Sequence, residues 1–231
     1  MLGIVVSLPR ELRSLTRQRI RVGTWRAIAD NTMVALSGIG AERAHKAGAV
    51  LVSQGATALL SWGCAAALDD NVRPGCLILP ERIIGANGEI HRVNTEWHQR
   101  LYRALASKHP LRTEALVESD TIVKTVAEKR ALAKQTKAAA TDMESAAQAR
   151  LAKAYALPFV AIRAIVDTPS TDIPESVLKA LDAQGNVNLW KLLTGTLPKD
   201  WIRIVRLGIQ FSAAHRSLKR TRKLVLASSR F

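Results

Sequence analysis

A chain of 231 residues can bury a substantial core, in one large α/β domain or two small ones. Hydrophobic residues make up 48% of it and aromatic ones 4%, so Ala, Leu, Val and Ile must fill that core, which argues against an all-β sandwich and for parallel strands wrapped in helices. Cys64 and Cys76 show neither C-x-x-C spacing nor a nearby His pair, which argues against zinc, and no apolar run reaches the roughly 18 residues of a membrane span.

The chain opens on "GIVVSL" (3–8), a strand with no basic leader before it, so no signal sequence is read and a reducing, cytoplasmic setting is expected. Further strands are expected at "MVALSGIG" (33–40), "ATALLSWG" (56–63), "GCLILPERII" (75–84), "TEALVES" (113–119) and "PFVAIRAIV" (158–166). Helical periodicity alternates with them at 41–54, 95–108, 127–136, 143–156 and 176–194. That alternation implies right-handed crossovers and a mostly parallel, buried sheet. No internal repeat or low-complexity linker interrupts the first 200 residues, so they form one domain (1–200). The last stretch (201–231) differs in charge. It holds eight of the 34 Lys and Arg residues and no acid, about half of the +15 net charge, and reads as a basic extension.

Ligands of open α/β sheets bind outside the carboxyl ends of strands. Asp167 directly follows the 158–166 strand. Glu144 follows "KAAAT" (137–141), where a strand passes into a helix. Glu11 lies just beyond the first strand, and Cys64 follows "ALLSWG". Each has a plainer alternative. Thr141-x-x-Glu144 is the pattern of a helix capping box, Asp167 precedes Thr168-Pro169 and can close a turn, Glu11 can sit exposed at a helix start, and Cys64 can fill a core.

"SGIG" (37–40), "WGCAAAL" (62–68), "TDMESAAQA" (141–149) and "AIRAIVD" (161–167) are similar in order and spacing to motifs of the nucleoside phosphorylase and nucleosidase superfamily, over residues 3 to about 195. The "DMES" and "WGCAAAL" variants and the basic bias most resemble its hopanoid-associated phosphorylase branch. The resemblance implies a three-layer α/β/α domain with a mostly parallel, mixed sheet, here followed by the basic C-terminal helix. It implies cleavage of the N-glycosidic bond of adenosylhopane, with release of adenine and a ribosyl or phosphoribosyl product. Methylthioadenosine or adenosylhomocysteine hydrolysis is the alternative on the same fold, and a non-catalytic basic protein on a relic fold is another. It also implies a homodimer or higher homo-oligomer, and no cofactor beyond phosphate as a co-substrate. No metal is expected.

Breaking such a bond creates cationic character on the ribose and leaves a purine that needs a proton on N7. A buried carboxyl raised in pKa supplies that proton, and Asp167 is the candidate acid. By resemblance Glu11 orients the attacking water, Glu144 binds the ribose hydroxyls, and Gly63, Cys64, Ile122 and Val123 line the pocket. Met143 packs on the sugar as an adaptable apolar wall. Phosphate as nucleophile requires cationic or amide donors, for which Arg10, Gly40 and Arg43 are candidates. Cys64 stands where related phosphorylases carry Ser or Thr, and Ser61 where the hexameric ones carry Arg; both departures lean toward water.

In the basic extension Ile202, Val205 and Ile209 share a helical face, with Arg203, Arg206 and Gln210 turned about 100° away. An anionic membrane surface, giving a peripheral location on the inner membrane face, and a plain terminal helix packed on the core are both consistent with it. Nucleic acid ranks lowest, since charge alone favours it.

Overall fold

The computed structural model describes residues 1–180, 182 and 200–229. Strand β1 (Leu2–Val6) is buried along its whole length. Pro9, which loses nothing by lacking an amide at a first helical position, starts α1 (Pro9–Leu15). A hairpin of β2 (Thr24–Ala29) and β3 (Thr32–Leu36) leads to α2 (Ala41–Ser53) and β4 (Ala58–Ala67). Short strands β5 (Leu77–Ile78), β6 (Arg82–Ile84) and β7 (Ile90–Arg92) precede α3 (Thr95–Leu105). Strands β8 (Leu111–Arg112) and β9 (Leu116–Glu118), α4 (Val126–Thr136), β10 (Ala140–Asp142), α5 (Ser145–Ala154) and β11 (Phe159–Asp167) follow. Helices α6 (Glu175–Ala180) and α7 (Trp201–Ser228) complete the described residues.

The strands form one mixed sheet between helical layers, a three-layer α/β/α fold. Its path runs β2-β3-β1-β4-β10-β9-β6-β7, and β11 branches from β4 toward β5 and β8. Strand β4 is the hub. It pairs in parallel with β1 and with β11, and its last residues pair antiparallel with β10. Helices α2 and α5 pack together on one face, while α7 packs against α1, α3 and β11 on the other. Leu59, Leu60, Trp62 and Ile162, all without exposure, lie in the core between them. No helix among the described residues is long and apolar enough to cross a membrane.

The main departures from the sequence reading have local causes. Strand β4 does not end at Gly63 but continues to Ala67, so Gly63 and Cys64 lie inside it; its second half finds partners in both β11 and β10. The single strand expected at 75–84 is two, divided at Pro80, which cannot donate to a ladder. The edge strand β2 is largely exposed and shows no clean alternation, and it was not foreseen. Of the helix expected at 176–194, Glu175–Ala180 is seen, and most of the rest lies outside the described residues.

Helix α7 is more than a basic appendage. Ala214, Leu218, Thr221 and Val225 recur at helical spacing and are fully buried, and the three apolar ones join the main core. Its first turns project, leaving Ile202, Val205 and Ile209 81%, 57% and 63% exposed. Leu218→Ala is therefore expected to cost about 2–5 kcal/mol in urea unfolding, while Ile209→Ala changes stability by less than about 0.5 kcal/mol. Equal effects at the two positions would mean that the helix does not pack as described.

Candidate active site

The carboxyl ends of β1, β4 and β11 share one rim, and a cavity of about 300 Å³ opens there. Glu11, Glu144 and Asp167, separated by up to 156 positions in sequence, all line it, together with Met143, Cys64, Ile122 and Val123. Gly63 lies directly behind. A Cβ there would stand 2.8 Å from Glu11 Oε1 and 3.0 Å from Arg163 Nη1, so only glycine lets these two groups approach β4.

Glu11 comes from the first turn of α1 and is buried. Its Oε2 accepts from the Leu8 amide at 2.9 Å and its Oε1 from the Cys64 amide at 2.7 Å. Burial raises its pKa, against the opposing pull of Arg163 and the two amides. Burial, reinforced by the charge of Glu11, also pushes the Cys64 thiol well above its usual value, so it is a poor nucleophile here.

Glu144 caps no helix with its side chain. It is the residue before α5, Thr141 lies within β10, and the capping-box alternative fails. The Glu144 carboxylate instead crosses to the Gly40 amide, 2.9 Å away, where Gly40 at φ 103° holds a backbone conformation that favours glycine. The start of α5 is served by Asp142, whose Oδ1 accepts from the amides of Glu144 (3.4 Å) and Ser145 (3.3 Å). Burial and then the nearby Asp142 raise Glu144 to a pKa of about 7.

Asp167 ends β11 at an irregularity. Ile165 pairs with Ala65 and Asp167 with Ala66, leaving Val166 as an extra residue, and both Val166 and Asp167 line the cavity. Its Oδ2 is ion-paired with Lys129, a fully buried residue of α4. Lys129 Nζ also donates to the carbonyls of Thr168 (3.1 Å) and Thr171 (2.8 Å). Asp167 Oδ1 is buried and has no partner. Burial raises the Asp167 pKa while Lys129 opposes it, and burial is the larger effect.

Arg163 lies beneath all of this, buried inside β11. Its Nε donates to Asp142 Oδ2 at 2.6 Å, and its Nη2 to the hydroxyls of Ser61 (2.7 Å) and Ser145 (3.0 Å). Burial works against its charge, but Asp142, Glu144 and Glu11 outweigh that penalty. Sequence reasoning missed Arg163, although an Arg inside the apolar run "FVAIRAIV" was a legible signal. Lys129 left no signal, since "AEKRALAK" reads as a solvated helix.

The three phosphate candidates are not gathered at the cavity. Arg10 projects from α1 with its guanidinium 5.6 Å from the Phe211 ring centre. Arg43 lines an adjoining cleft with Gly40 and Glu42. The Gly40 amide is taken by Glu144. Leu207 and Phe211 of α7 line one wall of the cavity, a role that the sequence does not assign to them. Among the described residues no group of three or more His, Cys, Asp or Glu is placed to hold a metal ion.

Two outcomes test this arrangement. Arg163→Met leaves three carboxylates without their shared cation and is expected to cost about 3–5 kcal/mol at neutral pH, less in acid where they protonate; a loss independent of pH would sink the electrostatic account. Glu144 keeps its proton to about pH 7 in the folded protein, against 4.5 ordinarily. The folded state therefore binds the extra proton between these values, and stability falls as pH rises through that window. Glu144→Gln is expected to flatten that decline in melting temperature measured from pH 4.5 to 7.5.

The family model of the phosphorylase superfamily matches residues 3–194. No curated protein matches the sequence significantly. Among solved structures, the 5'-methylthioadenosine/S-adenosylhomocysteine nucleosidase of Helicobacter pylori superposes with a TM-score of 0.73 at 15% identity, over 98% of this chain and 96% of that one. The futalosine hydrolase of the same organism gives 0.72 at 15% identity over 98% and 96%. The S-adenosylhomocysteine nucleosidase of Streptococcus pyogenes gives 0.73 at 15% identity over 100% and 97%. The chain belongs to the phosphorylase superfamily and is an enzyme that cleaves nucleoside N-glycosidic bonds.

Proposed function

We propose that the protein hydrolyses the N-glycosidic bond of a purine nucleoside carrying a large apolar 5' substituent, adenosylhopane being the reading the sequence favours. The observation that carries the hydrolytic part is the pairing of amides with carboxylates at the cavity. A phosphate nucleophile needs free amide or cationic donors, yet the Cys64 amide serves Glu11 and the Gly40 amide serves Glu144. Two carboxylates at that end of the cavity disfavour a dianion and leave water unopposed.

In the proposed step the bond between ribose C1' and purine N9 breaks and its electron pair moves into the purine. Asp167, protonated on the unpartnered Oδ1, delivers that proton to N7. The carboxylate so formed is stabilised by Lys129 on its other oxygen. Glu144 holds the ribose hydroxyls, and its charge favours the developing cation. Glu11, fixed by two amides, takes a proton from the water that attacks C1'. Met143 and the aliphatic pair Ile122 and Val123 supply apolar contact, and Phe211 supplies the aromatic surface that this pair lacks.

Support for an apolar substituent comes from the other wall. Ile173, Val177, Leu178 and Leu207 flank the cavity without a charged group among them, so an apolar chain could leave the ribose along them. Adenine release should be measured on adenosylhopane, methylthioadenosine and adenosylhomocysteine, with and without phosphate. Release from adenosylhopane without phosphate is the expected result, with Asp167→Asn slower by at least about 10²-fold. A requirement for phosphate would overturn hydrolysis, equal rates on the thio-nucleosides would overturn the lipid substrate, and an unchanged Asp167→Asn rate would remove the acid.

A further inference from the structure

The exposed face of α7 is organised in a way the cavity chemistry does not use. At about 100° per residue, Ile202, Val205 and Ile209 point roughly 160° away from the buried set Ala214, Leu218, Thr221 and Val225. They therefore face outward from the molecule, which agrees with their exposure of 81%, 57% and 63%. Further along the same outward face stand Arg216, Lys219, Arg220 and Lys223, all exposed. One side of a single helix is thus apolar over its first turns and cationic over the turns that follow. Arg10 and Arg13 of α1 add positive charge beside it, as their effect on His215 shows. No Asp or Glu occurs from Trp201 onward.

We propose that this outward face of α7 docks on an anionic lipid bilayer, with Ile202, Val205 and Ile209 entering the acyl boundary and Arg216, Lys219, Arg220 and Lys223 lying over the headgroups. Three largely exposed aliphatic side chains gain burial in the bilayer. The cationic turns account for the choice of lipid, because each Lys or Arg near an anionic surface adds to the attraction. Trp201, partly exposed at the start of the helix, suits the headgroup level, where indole rings concentrate. The opposite side of the same helix carries Leu207 and Phe211 into the cavity, so docking would bring the cavity wall to the membrane. A second copy of the chain fits the face less well, since it would bring no opposite charge to Arg216, Lys219, Arg220 and Lys223.

The proposal stands apart from the identity of the nucleoside. Its binding test uses the full chain and needs no substrate, in co-sedimentation with vesicles of phosphatidylcholine alone or mixed with the anionic lipid phosphatidylglycerol. Binding is expected at least about tenfold stronger to the anionic vesicles, and weaker in high salt. Replacing Ile202, Val205 and Ile209 together by Ser should abolish it while leaving adenine release from a soluble nucleoside unchanged. Lys219→Glu with Arg220→Glu should weaken binding to anionic vesicles alone. No binding to the anionic vesicles, or binding that survives the triple Ser variant, overturns the proposal. So does a dimer in light scattering that the triple variant converts to monomer, which would make the face a protein contact.

Discussion

The site depends on one buried guanidinium. Arg163 stands within β11, a strand otherwise apolar until its final Asp167, and no solvent reaches it to screen its charge. Its hydrogen bonds fix Asp142, Ser61 and Ser145, and through Asp142 they fix the start of α5 and hence the direction in which Glu144 leaves it. Glu11 approaches from α1 under the same positive field, across the gap that Gly63 keeps open. Asp142, Glu144 and Glu11 cannot otherwise share so small a volume, because isolated buried carboxylates would neutralise by taking up protons. The cation is the condition under which they can be gathered at all.

The acids are then differentiated by what else they touch. Glu11 is satisfied by two amides, Glu144 by one, and Asp167 by a buried lysine on a single oxygen. One carboxyl is thus held by two amides, one is raised to a pKa of about 7, and one keeps an oxygen without a partner. Environments that separate similar groups in this way are how a single fold runs acid and base chemistry at one pH. The same hydrogen bonds occupy the amides of Cys64 and Gly40, which is the feature on which the proposed hydrolysis rests.

Much of the sheet was legible because parallel strands buried on both faces leave near-continuous apolar runs, and the helices between them keep a 3.6 period. The three acids could be assigned an address because strand ends in α/β sheets are where ligands bind. What stayed hidden is physical in origin. Lys129 meets Asp167 across 38 positions of sequence, and nothing on its own helix distinguishes it from a solvated lysine. The continuation of β4 past Gly63 depends on partners that only the folded sheet provides. In the last helix, the sequence left core packing and membrane docking both open, and Ala214, Leu218 and Val225 seat it in the core.

That helix has a bearing on how the enzyme comes into being. Residues before position 181 supply all three acids and the arginine beneath them, but Leu207 and Phe211 are synthesised afterwards. On the proposed roles, a chain stopped at residue 200 would hold all three acids and Arg163 but lack the part of the cavity wall that Leu207 and Phe211 supply.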